Sequence, residues 1–411
     1  MGLTPMIFSM MGLSAPEHKS PSPRLTIVGP LGLRAFLRAN LTISYATLSS
    51  YFVVHELLFP SQPAYPHKPA DSSPNIRYTE TDEFLPENVI GQMRTLPIMP
   101  PHENELPGRN IVMDRNTGTW EKVIQVGDFT VSAAPITHRC PTVGYVLEEA
   151  KSASRSLTPR EMAILDSNTQ ALFEQQGVKN PRSLIPILLK KRENLHLPDG
   201  NVLVPPPLDR PGRKLCILGD TSDASGGLTQ KGMVTLARNA DIMVHECTYA
   251  SMSEKDMELA REVSEDRAKL LQNALLRPDE AKTRALSRGH SIPQIVGEFS
   301  ALIETKRVIL NHFSARLPAP LVQSHDPLVS TDQLVTNSHI EESKQRLYVM
   351  QEIERQVTCF WRNNCPAYTR WNEEARAVAA YDGLCVTIPP HAVSTSDHVS
   401  ENASTRSTIP K

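Results

Sequence analysis

Three short apolar runs, each ending abruptly on polar residues, constrain this chain more than any other feature. "KLCIL" runs into Gly219-Asp220-Thr221, "DIMV" into His245-Glu246, and "RVIL" into Asn311-His312. Helical spacing between them, as in "IPQIVGEFSALIE", makes the segment alternate strand and helix, which is the signature of an α/β fold. In open α/β sheets, chemistry gathers at the carboxyl ends of the strands. A core strand that stops on a histidine therefore points that histidine into a site.

The rest of the chain extends this pattern. "LTIVG" (25–29) reads as a strand, and "PLGLRAFLRANLTISY" as a helix that can begin at Pro30. Residues 58–118 hold a Pro-, Ser- and Asn-rich stretch, expected to be a partly disordered insertion. "EKVIQVGDFTVSAAPITH" reads as a hairpin about Gly127-Asp128, and "GYVLEE" continues the sheet. Helices are expected over 160–176, in "TQKGMVTLARNA", within the charged insertion 254–287 and over 341–361, with a late strand in "LCVTIPP". The expected organisation is one domain over 1–317 that carries an insertion at about 155–210. A helix and strand within 318–392 complete it, and a disordered tail covers 393–411.

Composition removes some classes. With 43 Lys+Arg against 45 Asp+Glu, the 411-residue chain is not a generally basic nucleic-acid coat. Locally the balance differs. From Gly177 to Lys214 there are eight Lys/Arg and three Asp/Glu, including Lys190, Lys191 and Arg192 in "LLKKRENLH". No apolar run is long enough to span a membrane. The apolar start lacks a basic lead and a cleavage site, so it reads as neither signal nor transit peptide. The six cysteines form no CxxC pair and read as reduced thiols.

Four residues can do chemistry: His138 in "APITHRCPTVGY", Asp220 in "ILGDTSD", His290 in "SRGHSIPQ" and His312. Singly, each has an ordinary explanation: a satisfied histidine, or a helix-capping or turn aspartate. Together they suit a metal site, because imidazole nitrogen and carboxylate oxygen are zinc ligands and a carboxylate can bridge two ions.

The ordered set "IVGPLGLRAFLRANL…YFVVHEL", "THRCPTVGY", "RPGRKLCILGDT", "ADIMVHECTY", "RGHSIPQ", "VILNHFSAR" and "AAYDGLCVTIP" resembles ribonuclease Z, short form. This is the tRNA 3′-processing endonuclease of the metallo-β-lactamase superfamily. The resemblance implies an αββα sandwich, two Zn²⁺ ions per subunit, precursor tRNA as partner and a homodimer. By its motifs, His138, Asp220 and His312 correspond to metal ligands, and Asp220 to the bridging carboxylate. His290 corresponds to the proton donor and Glu246 to its acidic partner. The 155–210 insertion, with Lys190, Lys191 and Arg192, corresponds to the arm that grips tRNA, although its sequence departs from the family's Gly-Pro-rich arm.

The family's His-x-His-x-Asp-His run is absent from this sequence, and His18 stands alone. The expectation is an N-terminally incomplete fold that keeps three of seven protein ligands, either a truncated form of a working enzyme or a short paralogue without activity. Two alternatives follow: a non-catalytic RNA- or partner-binding module, and a small-molecule hydrolase of the same fold. An intracellular place is expected, in cytoplasm, nucleus or mitochondrion.

Overall fold

The computed structural model describes residues 2–11, 22–65, 74–317, 337–365 and 376–392, with side chains of the last helix from 347 onward. His18 and the 393–411 tail lie outside the described residues. The chain divides into Met1–Leu147 with Lys214–Val386, and Glu148–Arg213 with Thr387–Lys411.

In the first unit, β1 (Pro23–Pro30) runs parallel to β2 (Tyr51–Leu58), with Thr26 opposite Val53. Nearly all of β2 is buried, which is why "YFVVHELL" reads as a continuous apolar run rather than an alternating one. Its outward residues Phe52 and Val54 pack with Ile7 and Met11 of α1 (Leu3–Met11) and Leu37 and Leu41 of α2 (Leu33–Ile43). Pro30 closes β1, and α2 starts three residues later, after Gly32 at φ 101°. The reason lies in β2: the buried Glu56 carboxylate accepts from the Gly32 and Arg34 N–H groups at 3.0 and 2.9 Å. It thereby fixes where the helix begins.

Of residues 58–118, 66–73 lie outside the described part. The remainder carries β3 (Asn75–Thr79) paired antiparallel with β4 (Met93–Pro97). Beyond them, β5 (Glu105–Leu106) and β6 (Asn110–Val112) join β2.

The second sheet of this unit starts with β7 (Trp120–Val126), β8 (Phe129–Ile136) and β9 (Thr142–Glu149). After the short β10 (Leu195–His196) and β11 (Val202–Leu203) of the other unit, it continues with β12 (Lys214–Ile217), β13 (Ile242–Glu246), β14 (Val308–Asn311) and β15 (Ala377–Ala379). Their order is β15-β14-β13-β12-β9-β8-β7, and β12 through β15 are parallel. The two sheets meet through Leu57, Phe59, Trp120, Val123, Ala133 and Val143. Two polar bolts cross the seam: Trp120 Nε1 donates to the Leu58 carbonyl at 3.0 Å, and Tyr145 Oη to that of Val28 at 2.8 Å. Burial pushes the Tyr145 hydroxyl up to about 12, so it remains a donor.

The helices of this unit, after α3 (Pro159–Ser167) and α4 (Thr169–Gln176) of the other, are α5 (Met233–Leu236), α6 (Glu254–Val263), α7 (Glu265–Ala274), α8 (Pro278–Arg288), α9 (Pro293–Leu302) and α10 (Asn337–Asn364). Val296 and Phe299 of α9 and Val357 and Trp361 of α10 cover the outer face of the second sheet. The layers are thus helix, sheet, sheet, helix, the expected αββα sandwich.

Two expectations fail locally. The helix in "TQKGMVTLARNA" is the single turn α5, because Gly232 (φ 63°) and Asn239 (φ 59°) bound it in left-handed backbone. The late strand is not "LCVTIPP" but the small-residue run Ala377–Ala379. Its edge is covered by α10: Thr358 Oγ1 accepts from the Ala377 N–H at 3.1 Å, and Glu354 Oε1 from that of Ala379 at 2.8 Å. "LCVTIPP" finds no ladder and ends on two prolines.

The other unit is built around Leu165, Leu172, Leu188, Leu195, Leu197 and Leu203. A capping box starts α3, with the Glu161 N–H on Thr158 Oγ1 and the Thr158 N–H on Glu161.

Candidate active site

The parallel ladder sets the site. Glu246 at the end of β13 is opposite Asn311 at the end of β14, so the residues just past both ends emerge side by side. Asp220 follows β12, Thr248 follows β13, His312 follows β14, and His138 leaves β8. His312 takes left-handed backbone (φ 54°), an uncommon conformation for a non-glycine residue, and this ends the strand and turns its ring out of the core.

Ligand atoms of Asp220, His290 and His312 lie within 4.8 Å of one another. His312 Nε2 is 3.4 Å from Asp220 Oδ1. Two ligands of a tetrahedral zinc stand about 3.3 Å apart, given bonds of about 2.0 Å. The pair therefore has the spacing of one coordination edge. Both side chains are partly open to solvent, at 46 % and 40 %.

Glu246 organises the surroundings. Its carboxylate is 1 % exposed and accepts on both oxygens. Oε1 takes the N–H groups of Thr221 (3.0 Å) and Ser291 (3.1 Å) and His290 Nδ1 (3.0 Å). Oε2 takes the Thr248 N–H (3.0 Å) and Oγ1–H (2.7 Å). One buried side chain thus ties together the loops after β12 and β13 and the loop after α8. Its neighbour His245 faces the other way, buried against Phe299, where desolvation lowers its pKa and holds it neutral.

Thr248, which sequence reading missed, orients the ring of His312. A hydroxyl has one proton. That of Thr248 is taken by Glu246 Oε2 or by the His312 carbonyl oxygen at 2.9 Å, both of which only accept. With that proton on Glu246, the 2.9 Å contact between Thr248 Oγ1 and His312 Nδ1 is met when the ring donates. That tautomer leaves Nε2, 3.4 Å from Asp220 Oδ1, as the nitrogen that would face an ion. Thr248→Val keeps the shape and removes this lock. Zinc affinity is expected to fall about 10–100-fold, as read by competition with a chromophoric chelator; unchanged affinity would remove Thr248 from the account.

His138 lies beside the group rather than in it. Its Nδ1 is 2.6 Å from the Gly289 carbonyl oxygen, and its ring is centred 5.2 Å from that of His290. His290 stacks in turn on His312, also at 5.2 Å. The expected metal set of His138, Asp220 and His312 and the clustered set of Asp220, His290 and His312 thus differ by one histidine. Gly289 must be glycine, since φ is +76° and a Cβ there would lie 2.5 Å from His138 Nδ1.

Of the basic stretch, Lys190 and Lys191 are exposed in the turn Ile187–Lys191, with no polar partner among the described residues. Arg192 donates to the Pro206 carbonyl.

No family model matches the chain. Over 315 residues it is 28 % identical to the zinc phosphodiesterase ELAC protein 1 of Homo sapiens, covering 76 % of this chain and 68 % of that protein. It is 30 % identical to the ribonuclease BN of Cronobacter sakazakii over 205 residues, covering 49 % of this chain and 51 % of that protein. The crystal structure of human tRNase Z, short form (ELAC1), matches with a TM-score of 0.36 and 22 % identity, over 77 % of this chain and 68 % of that one. The chain thus spans about two thirds of the human relative and about half of the bacterial one. The two relatives found by sequence bear out the resemblance read from the motifs.

Proposed function

We propose that this chain is a zinc-dependent phosphodiesterase that removes 3′ trailers from precursor tRNA. The observation that carries the reading is the convergence of Asp220, His290 and His312 at the carboxyl ends of parallel strands, with His290 held by a buried carboxylate. The donor set fits one ion: an oxygen and imidazole nitrogens, one pair at coordination spacing, with an open side left for substrate. Asp220 and His312 would hold the ion. When bound, zinc polarises the phosphodiester and activates water at neutral pH.

The protein's own groups do the rest. Glu246 fixes the His290 ring through Nδ1, so Nε2 is the nitrogen left to meet substrate. A histidine so held carries a proton to the leaving ribose oxygen, completing a hydrolysis with a 3′-hydroxyl on the tRNA body and a 5′-phosphate on the trailer. Lys190 and Lys191 contribute phosphate contacts that position RNA without reading its sequence.

A second reading rests on the donor count. Asp220, His290 and His312 are the one three-donor group among the described residues, where a two-ion site needs more. On that reading the chain binds RNA without cutting it. Incubation of the purified chain and zinc with a precursor tRNA bearing a 3′ trailer decides. Release of the trailer with a 3′-hydroxyl on the tRNA body supports the phosphodiesterase; binding without cleavage supports the second reading. Hydrolysis of a lactone or thioester alone supports neither.

A further inference from the structure

Beside the site lies a cavity of about 640 Å³ that the proposed chemistry does not use. Its walls come from four stretches of the same unit: Pro86–Asn88, the His138–Arg139 loop, Ser222 after β12, and the carboxyl end of α8 at Ser287 and Gly289. His138 is shared. One edge of its ring looks into the cavity, and 5.2 Å away is the ring centre of His290, the proposed proton donor. Anything seated in the cavity is therefore one side chain from the place where a phosphodiester would react.

The cavity is built rather than incidental. The loop that carries Pro86 and Asn88 is anchored in the core by Phe84, Leu85 and Val89, which pack with Trp120 between the sheets. Asp82 is 2 % exposed and accepts from the Ser61 N–H at 2.9 Å and that of Phe84 at 3.2 Å. Across the cavity mouth, Asn88 Nδ2 donates to the Arg139 carbonyl oxygen at 3.2 Å, bridging two walls. The Arg139 guanidinium is exposed and has no partner among the described residues.

We infer that this cavity is a nucleotide subsite, which takes the RNA residue flanking the scissile phosphate. The inference rests on the phosphodiesterase reading for its position, and on the walls for its chemistry. The volume falls within the ~300–1,000 Å³ of small-ligand sites. Hydroxyls, the Asn88 carboxamide, the Glu87 carboxylate and the Arg139 guanidinium line it beside the apolar Pro86 and Leu286, a mixture that suits a nucleotide, with its apolar base faces, polar base edge, ribose and phosphate. The orientation follows from charge. The last carbonyls of α8 and the Glu87 carboxylate repel phosphate, so the base faces Ser287 and the phosphate faces Arg139. Asn88 keeps one N–H and its Oδ1 for the base.

The test is a binding titration, which does not depend on turnover. A fluorescent single-stranded RNA trinucleotide is titrated at low salt into the wild-type chain and into Asn88→Ala, Arg139→Ala and Lys282→Ala. Lys282 is exposed on α8 outside the cavity and controls for general charge. The expected result is a loss of roughly tenfold for Asn88→Ala and for Arg139→Ala, with Lys282→Ala like the wild type. Equal affinity in all four proteins, equal losses in all three variants, or no binding by the wild type would overturn the subsite. A wild type that binds through Arg139 yet leaves precursor tRNA uncut overturns the proposed function and not the subsite.

Discussion

Replacing His290 by alanine is expected to slow precursor tRNA cleavage by about 10²–10⁴-fold, while hydrolysis of bis(p-nitrophenyl) phosphate falls far less. The two substrates differ in what leaves. A ribose oxygen needs a proton as its bond to phosphorus breaks, whereas p-nitrophenolate leaves well without one. The structure gives His290 the means: its ring is 12 % exposed, Nδ1 rests on Glu246 and Nε2 remains for substrate. Steady-state kinetics on both substrates read the effect directly. Equal losses on both would mean that His290 serves as a metal ligand, a role its place within 4.8 Å of Asp220 and His312 also allows.

Glu246→Ala is expected to be the most damaging single change to the fold around the site. The carboxylate serves five donors, and two of them, the N–H groups of Thr221 and Ser291, belong to fully buried residues. A buried donor left without an acceptor costs about 1–3 kcal/mol, and other groups of the network lose partners with it. The expected destabilisation is about 3–5 kcal/mol, measured by urea unfolding followed by tryptophan fluorescence. Trp120 and Trp361 are both in the core and report on it. Because Glu246 joins three loops, the same variant is expected to lose zinc binding even where it remains folded. A loss below about 1 kcal/mol would show that the loops are held by other contacts.

The sequence revealed the strand ends because their logic is local. An apolar run that stops on Asp220, Glu246 or His312 carries its register and its polar end in consecutive letters. The parallel ladder then brings those ends together, as a sheet with helical crossovers must. What the letters hid depends on contacts between distant residues. Thr248 is one threonine among many until His312, 64 residues away, places Nδ1 against its hydroxyl. His138 stands beside the clustered donors with its Nδ1 on the Gly289 carbonyl, 151 residues on, a contact that no local pattern announces. The choice of Ala377–Ala379 over "LCVTIPP" as the last strand was made by Glu354 and Thr358 on α10, not by β-propensity. The cavity at Asn88 and Arg139 likewise needs four separated segments.

The most direct measurement is the zinc content of the purified chain at equilibrium, by dialysis against buffered zinc and elemental analysis. Asp220 and His312 at coordination spacing predict one ion per chain, lost in Asp220→Ala and in His312→Ala. An ion retained by both variants, or none taken up by the wild type, would contradict the site.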